Sequence, residues 1–128
     1  MRAAMDRLEA ALATPTPPPL ADAARATGCS PDGIRTLEAE GRIVRLEDDL
    51  AWAAPTYREL ARTAVTMAAS GPLTPAAYRD AIGSSRKYVM AILEDLDRRE
   101  LLRRTEAGHV LGRRSLAKVR PAAPVETP

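Results

Sequence analysis

The chain has 128 residues, a formal net charge of +2 and one cysteine, a length that fits one ordinary domain or two very small ones. A single cysteine excludes an internal disulfide framework and a zinc ribbon. No apolar run is long enough to span a bilayer, so we expect a cytoplasmic protein. With no Phe, one Trp and three Tyr, the core must consist of Leu, Ile, Val and Ala, which favours small helical units over a large enzyme fold.

The positive charge is concentrated in the second half of the chain. Residues 1–70 contain eight Arg and no Lys against ten Asp plus Glu, a formal charge of −2. Residues 71–128 contain eleven Arg plus Lys against seven Asp plus Glu, a formal charge of +4. An excess of cations in one part of a chain indicates a surface for a polyanion.

The first half predicts three helices followed by a hairpin. A run of prolines from Pro15 to Pro19 ends the first helix, because proline removes donors and restricts the preceding residue. Ser30 and Pro31 start the third helix as cap and first residue, and alternating apolar residues then predict a strand pair. The elements are expected at residues 1–13, 20–26, 30–41, 42–46 and 50–53.

The second half repeats this order. Thr56 and Glu59 form a capping box that predicts a helix over 56–69, and Thr74 with Pro75 caps the next helix. The later elements are expected at residues 74–82, 85–98, 101–105 and 109–111, with a wing tip at 106–108. Helix, helix, helix and hairpin are the elements of a winged helix.

Two sequence offsets support an internal repeat. Gly28 and Ser30 recur 55 residues later as Gly83 and Ser85, whereas Leu37 and Ile43 recur 59 residues later as Leu96 and Leu102. The third helix of each half is the recognition helix of a winged helix, which we call the reading helix. The difference of four residues predicts that the second reading helix is one turn longer than the first. The predicted fold class is mostly α with small β-hairpin wings (α+β), as tandem winged-helix domains at 1–54 and 55–114 and a disordered tail at 115–128.

The helix after Gly83 contains the residues best suited to bind an anion. Ser85 is its predicted cap, and Arg86 and Lys87 follow at once, where free backbone N–H groups and the helix dipole also attract anions. Glu94 and other acids occupy its second half, so only the first turn and a half suits a polyanion. Alternatively, Arg86 and Lys87 are ordinary solvated residues of a surface helix. Helical spacing places one face in the core: Ser85, Val89, Ile92, Leu93 and Leu96.

One stretch of the second half has the pattern of a known family: Gly71-Pro72-Leu73-Thr74-Pro75, then Gly83-Ser84-Ser85-Arg86-Lys87-Tyr88-Val89, then Leu93-Glu94, Asp97 and Arg104. This stretch resembles the last winged-helix domain of bacterial selenocysteine-specific elongation factor, the SelB type. The resemblance covers about residues 71–112 and is topological over residues 1–70. It implies an RNA-binding, cytoplasmic role in protein biosynthesis and selenocysteine incorporation. In that family, tandem winged helices follow a GTPase body, and the last one grips the messenger RNA hairpin, the selenocysteine insertion element.

The resemblance does not extend to the GTPase activity of the family. The chain has no Gly-x4-Gly-Lys-Ser/Thr loop, so GTP hydrolysis and the aminoacyl-tRNA site are not carried over. We expect a non-catalytic chain without a cofactor, because GTP would belong to an absent domain, and one like a C-terminal fragment of the factor. The implied partners are the messenger RNA hairpin, the GTPase part and the ribosome, with no membrane, and we expect a monomer.

The RNA-binding residues implied by the resemblance lie around the start of the reading helix and on the second wing. Tyr88 has two interpretations, stacking on an unpaired base or packing at the edge of the apolar face. Arg103 and Arg104 alternate along a strand, so at most one is expected to face RNA. The residues assigned to RNA binding are Arg79, Ser85, Arg86, Lys87, Tyr88, Arg104 and Arg113.

Other reactive residues are interpreted as structural. His109 lacks a cluster at ligand spacing and is assigned to the wing rather than to a metal, and Cys29 to a small buried position. Arg98 and Arg99 follow Glu94 and Asp95 in the order of helical ion pairs. The carboxylates at 94, 95 and 97 have no pocket or adjacent base for acid catalysis.

Three functions share this fold. The first is the RNA-hairpin module of a selenocysteine elongation factor. The second is a DNA-binding winged-helix regulator, although such a reader spreads cations along its whole reading helix, where Glu94 and Asp95 would here meet phosphates. The third is a protein-interaction module that uses the acidic first unit.

Overall fold

The structure, a computed structural model, describes residues 1–119. The chain divides into two compact units, of which the first is Met1–Leu60 and the second starts at Ala61. The elements in chain order are α1 (Arg2–Ala11), α2 (Leu20–Thr27), α3 (Pro31–Ala39), β1 (Ile43–Glu47), β2 (Leu50–Ala53), α4 (Ala54–Ala69), α5 (Pro75–Ile82), α6 (Arg86–Arg98), β3 (Leu102–Thr105), β4 (Gly108–Leu111) and α7 (Arg113–Val119). Each unit contains three helices followed by an antiparallel hairpin, so the predicted tandem winged-helix fold is confirmed.

In unit 1, α1 packs against α2 and α3, and the first wing pairs β1 with β2 from Ile43 opposite Ala53. Ser30 caps α3 as expected, because its Oγ accepts from the Gly33 N–H at 3.1 Å. The apolar residues meet in one cluster, which stabilises the unit by removing them from water. Its members are Ala4, Met5, Leu8, Leu12, Leu20, Ala23, Ala24, Cys29, Leu37, Ile43, Ala51 and Ala53.

Most cations of unit 1 form ion pairs or hydrogen bonds within the unit. The Arg42 guanidinium donates to Asp6 at 2.7 Å and through Nε to Glu9 at 2.8 Å. These two hydrogen bonds raise the pKa of Arg42. Glu38 pairs with Arg45 at 3.0 Å, so carboxylates on α3 stabilise the first unit internally.

In unit 2, α5 packs against α6, and α6 packs against β3. The second wing pairs β3 with β4 in the register Leu102 opposite Leu111. Leu73 adds a third, single-residue strand, because its N–H and carbonyl exchange hydrogen bonds with His109 at 2.8 Å each. The buried apolar residues of this unit from Leu73 onward are Leu73, Tyr78, Val89, Ile92, Leu93, Leu96 and Leu102.

The element lengths confirm the repeat. Helices α2 and α5 have eight residues each. By contrast, α3 has nine and α6 has thirteen. The four extra residues of α6 equal the difference between the two sequence offsets, so α6 is longer than α3 by about one turn.

Several predicted element ends shift by one or two residues, and two differences change an interpretation. Helix α4 begins at Ala54 rather than at Thr56, and the predicted capping role of Thr56 is wrong because Thr56 already lies in the first turn. Pro55 is tolerated there, since the N–H that it lacks would have no helical partner. Part of the predicted disordered tail is helical, because residues 113–119 form α7; the expectation for residues 120–128 falls outside the described residues.

Helix α7 is held by tertiary contacts that the sequence does not reveal. The Ser115 hydroxyl is buried and donates to the Leu101 carbonyl at 2.6 Å. The Arg114 N–H donates to the Glu100 carbonyl at 2.9 Å. Within residues 1–119, no helix combines the length and the apolar character needed to cross a bilayer.

Candidate nucleic-acid interface

The turn between α5 and α6 places the first candidate residues. Thr74 caps α5, with its Oγ1 accepting from the Ala77 N–H at 3.2 Å. Helix α5 ends at Gly83, whose φ of 65° lies in the left-handed region that favours glycine. The Ser84 N–H donates to the Arg79 carbonyl at 3.2 Å, and α6 then starts at Arg86. The turn therefore holds the amino end of α6 in a fixed place beside α5.

We call Ser85, Arg86 and Lys87 the helix tip. All three side chains are exposed, and neither cation has an ion pair in the described part of the chain. Ser85 occupies the cap position as predicted, but its side chain makes no capping hydrogen bond and does not join the core. The first N–H groups of an α-helix have no partner within it, so their partial charge adds to that of Arg86 and Lys87.

Tyr88 is half-buried, and the Lys87 ammonium lies 6.0 Å from its ring centroid. This distance is at the outer limit for a cation–π contact. Beneath the tip, Tyr78 of α5 is fully buried, and this burial raises its pKa. The phenol of Tyr78 thus stays neutral over the physiological pH range.

The other predicted RNA-binding arginines differ in their surroundings. Arg79 on α5 is exposed, and its Nε lies 3.3 Å from Oδ1 of the neighbouring Asp80. Arg104 on β3 is exposed, opposite His109 in the hairpin register. Arg113 is exposed, but its Nε donates to Glu100 at 2.7 Å. Arg113 is therefore already engaged by a carboxylate.

Both Arg103 and Arg104 are exposed, and the expectation that at most one of them faces RNA stays a prediction. Strand residues alternate between two faces. The second wing is only a hairpin joined by a single bridge, however, so neither face is covered at these two positions. Leu102 is the buried residue of β3.

The second half of α6 confirms part of the predicted ion pairing. Asp95 accepts from Arg98 at 3.3 Å and from Arg99 at 2.8 Å. Sequence reasoning placed Asp95 on the exposed face, whereas it is buried. The Asp95 carboxylate would therefore not meet the phosphates of a DNA duplex bound along α6. Of the two acids, only the exposed Glu94 would repel them.

Sequence reasoning missed the pair formed by His109 and Asp97. His109 is buried, and its Nδ1 lies 3.1 Å from Asp97 Oδ1. The two residues lie in different elements, so no local spacing relates them. The contact ties β4 to α6, which agrees with the assignment of His109 to the wing.

Nothing in the described residues groups three or more His, Cys, Asp or Glu side chains as a metal site would require. Cys29 is buried as expected, and this burial raises the pKa of its thiol. A thiol is a poor nucleophile when its pKa is raised. At the surface of unit 2, arginine, lysine and backbone N–H groups are available to bind anions.

A family model described as elongation factor SelB, winged helix, matches residues 66–111. This segment contains the helix tip, the reading helix and both strands of the second wing. Residues 66–111 are similar to the winged helix of that family, and we refer to them as the SelB-type winged helix. The match ends two residues before the start of α7, so α7 itself lies outside the part that this family model describes.

The fold likeness extends beyond the SelB-type winged helix. The structure of the mRNA-binding domain of elongation factor SelB from E. coli, in complex with SECIS RNA, matches with a TM-score of 0.69 and 24% identity. The match covers 87% of this chain and 95% of that one. Unit 1 therefore shares the fold of the SelB domain, although the SelB family model matches only in unit 2. A search of curated protein sequences found no match.

Proposed function

We propose that this chain is the RNA-binding module of a selenocysteine-specific elongation factor. In this proposal the helix tip grips the messenger RNA hairpin that serves as the selenocysteine insertion element. The observation that carries the proposal is the position of Arg86 and Lys87, exposed and unpaired at the amino end of the reading helix of a SelB-type winged helix. Their charges, the backbone N–H groups and the helix dipole favour the same anionic ligand.

The remaining assigned residues have graded roles in this proposal. Arg79 and Arg104 supply further positive charge, and the Tyr88 ring stacks on an unpaired base. Arg113 contributes less, because Glu100 already holds it. The module needs no cofactor and performs no reaction of its own, and it acts as a monomer in the cytoplasm. The GTPase part and the ribosome are its further partners.

The DNA-binding alternative rests on the same fold. A helix that follows the major groove presents polar and basic side chains along its exposed face. Here Glu94 is exposed in the middle of that face, and Asp95 binds arginines from its own helix. This distribution favours contact by the tip of α6 with a compact loop.

The test compares binding to a bulged RNA hairpin and to a DNA duplex of equal charge at several salt concentrations. About four contacts with single-stranded phosphates give a log–log salt slope near −3. For Arg86→Ala/Lys87→Ala we expect a slope closer to zero by about 1.4 and a loss of hairpin preference. A matched control is Arg25→Ala/Arg35→Ala, which removes the same charge from exposed helix residues of unit 1.

Three outcomes separate the functions. Hairpin preference that disappears only in the Arg86/Lys87 variant supports the RNA module. Equal or better binding of the duplex supports the DNA regulator. Absence of binding to either nucleic acid leaves the protein-interaction module.

A further inference from the structure

A groove lies at the opposite end of the reading helix from the helix tip. It has a volume of about 340 Å³ and we call it the wing groove. The carboxyl end of α6, the strand β3 and the start of α7 form its walls. Its lining residues are Asp97, Glu100, Leu102, Arg103, Arg104, Gly112 and Arg113.

The charges of the wing groove are only partly compensated. Glu100 accepts from Arg113, and Oδ1 of Asp97 lies 3.1 Å from Nδ1 of His109. Both carboxylates are thus matched by a partner. Arg103 and Arg104 are exposed and have no carboxylate within ion-pair distance in the described residues. The wing groove is therefore lined by two exposed arginines, consecutive in β3, that have no carboxylate partner among the described residues.

The fold keeps these two arginines in place. Leu102 is buried beside them, and β3 is paired along its length with β4, so that Arg103 faces Val110 and Arg104 faces His109. Arg104 also lines a smaller neighbouring hollow of about 180 Å³ with Thr74 and Met90. Arg104 thus stands between the wing groove and a hollow that reaches the middle of α6.

The wall of the wing groove formed by α6 lies at the opposite end of that helix from the helix tip. Helix α6 has 13 residues, and a rise of 1.5 Å per residue separates its ends by about 18 Å. Arg86 lies at the first residue, whereas Asp97 of the groove lies one residue before the end. A ligand that reaches both places must be extended.

We infer that the wing groove is a second phosphate-binding site, which holds the backbone of the stem of the RNA hairpin whose loop contacts the helix tip. This inference rests on the function proposed above. Arginine matches phosphate with two parallel hydrogen bonds from its planar fork. Double-stranded RNA is recognised through its shape and backbone rather than its bases, which suits two exposed guanidinium groups on a strand.

An acidic protein surface would offer similar charge, but the groove suits it less. The core of a protein interface is enriched in aromatic and other apolar side chains. The wing groove contains a single apolar side chain, Leu102, which is buried. A polar, cationic groove of this kind fits a phosphate backbone better.

The experiment uses the full chain and two RNA hairpins with the same loop, one with a short stem and one with a stem several base pairs longer. Arg103→Ala/Arg104→Ala is expected to weaken binding of the long hairpin roughly tenfold and to move its salt slope toward zero by about 1.8, as two duplex phosphate contacts require. Binding of the short hairpin should weaken by a clearly smaller factor, because only the positive charge that Arg104 supplies near the helix tip is lost there. Arg103→Lys/Arg104→Lys keeps the charge but lacks the planar guanidinium fork. Its affinity for the long hairpin should therefore lie between the affinities of the parent and of the alanine variant.

The controls distinguish this inference from the proposed function. Arg86→Ala/Lys87→Ala should weaken both hairpins, and Arg25→Ala/Arg35→Ala should weaken neither. Equal losses for both hairpins in the Arg103/Arg104 variant, or no loss for either, would overturn the stem site while leaving the helix tip intact. Stronger competition by polyglutamate than by a charge-matched RNA would assign the groove to an acidic protein. Absence of binding by the parent chain to either hairpin would overturn both proposals.

Discussion

At the scale of single residues, the six arginines at positions 86, 98, 99, 103, 104 and 113 fall into two groups by their partners. Arg98 and Arg99 bind the buried Asp95, and Arg113 binds Glu100. Arg86 and Arg103, like Arg104, have no carboxylate partner in the described chain. An arginine that already has a carboxylate stabilises the fold, whereas an unpaired one remains free to bind an external anion. Charge count alone cannot make this distinction, because both groups look identical in the sequence.

This division predicts opposite consequences for two double substitutions that remove the same charge. Arg98→Ala/Arg99→Ala leaves the buried Asp95 carboxylate without its two cations and should lower the free energy of unfolding by about 2 kcal/mol. Arg103→Ala/Arg104→Ala removes exposed, unpaired side chains and should change it by less than about 0.5 kcal/mol. Urea denaturation followed by circular dichroism measures both. Equal stability of the two variants would contradict the structural role of Arg98 and Arg99.

At the scale of elements, the repeat explains how much of the fold could be predicted. The order of elements and the extra turn of α6 follow from caps, prolines and two offsets, which are local signals. The burial of Asp95 could not be predicted, because a helical wheel places it outside the apolar face. Its ion pairs with Arg98 and Arg99 help to make the burial tolerable. Helix α7 was missed for a similar reason, since its stability depends on Ser115 and Glu100 contacts with no local signature.

Within the repeat, Glu100 replaces a glycine. Gly41 follows α3 with a φ of 70°, and the equivalent Glu100 follows α6 with a φ of 61°. A non-glycine residue in this region is strained by about 1 kcal/mol. Its side chain accepts from Arg113, and its carbonyl accepts from the Arg114 N–H. The strained residue thus anchors α7, which forms one wall of the wing groove.

The strain and the anchor can be separated by two substitutions at this position. Glu100→Ala and Glu100→Gly both remove the carboxylate, but only Gly removes the strain, so the Gly variant should be more stable than the Ala variant by about 1 kcal/mol. Thermal unfolding of the two variants beside the parent measures the difference. An Ala variant as stable as the Gly variant would show that the left-handed conformation at position 100 costs nothing.

At the scale of the whole molecule, the two units share a fold and differ in charge. Unit 1 uses most of its cations internally, as Arg42 does with Asp6 and Glu9. The tip of its wing, between β1 and β2, adds the exposed acids Glu47 and Asp48. Unit 2 has the unpaired arginines and the helix tip. We therefore assign contact with RNA to unit 2 alone, which makes the acidic wing tip of unit 1 a test of that assignment.

Glu47→Gln/Asp48→Asn should leave the log–log salt slope of RNA binding unchanged, because the slope counts the phosphates that the protein neutralises and neither residue contacts one. The affinity should rise by less than about threefold at low salt and should match the parent above about 0.1 M, where the Debye length is about 10 Å and distant repulsion is screened. Filter binding or fluorescence anisotropy across a salt series measures both quantities. A change in slope of about one phosphate equivalent or more would place the wing tip of unit 1 against the RNA, and the assignment of binding to unit 2 alone would then be wrong.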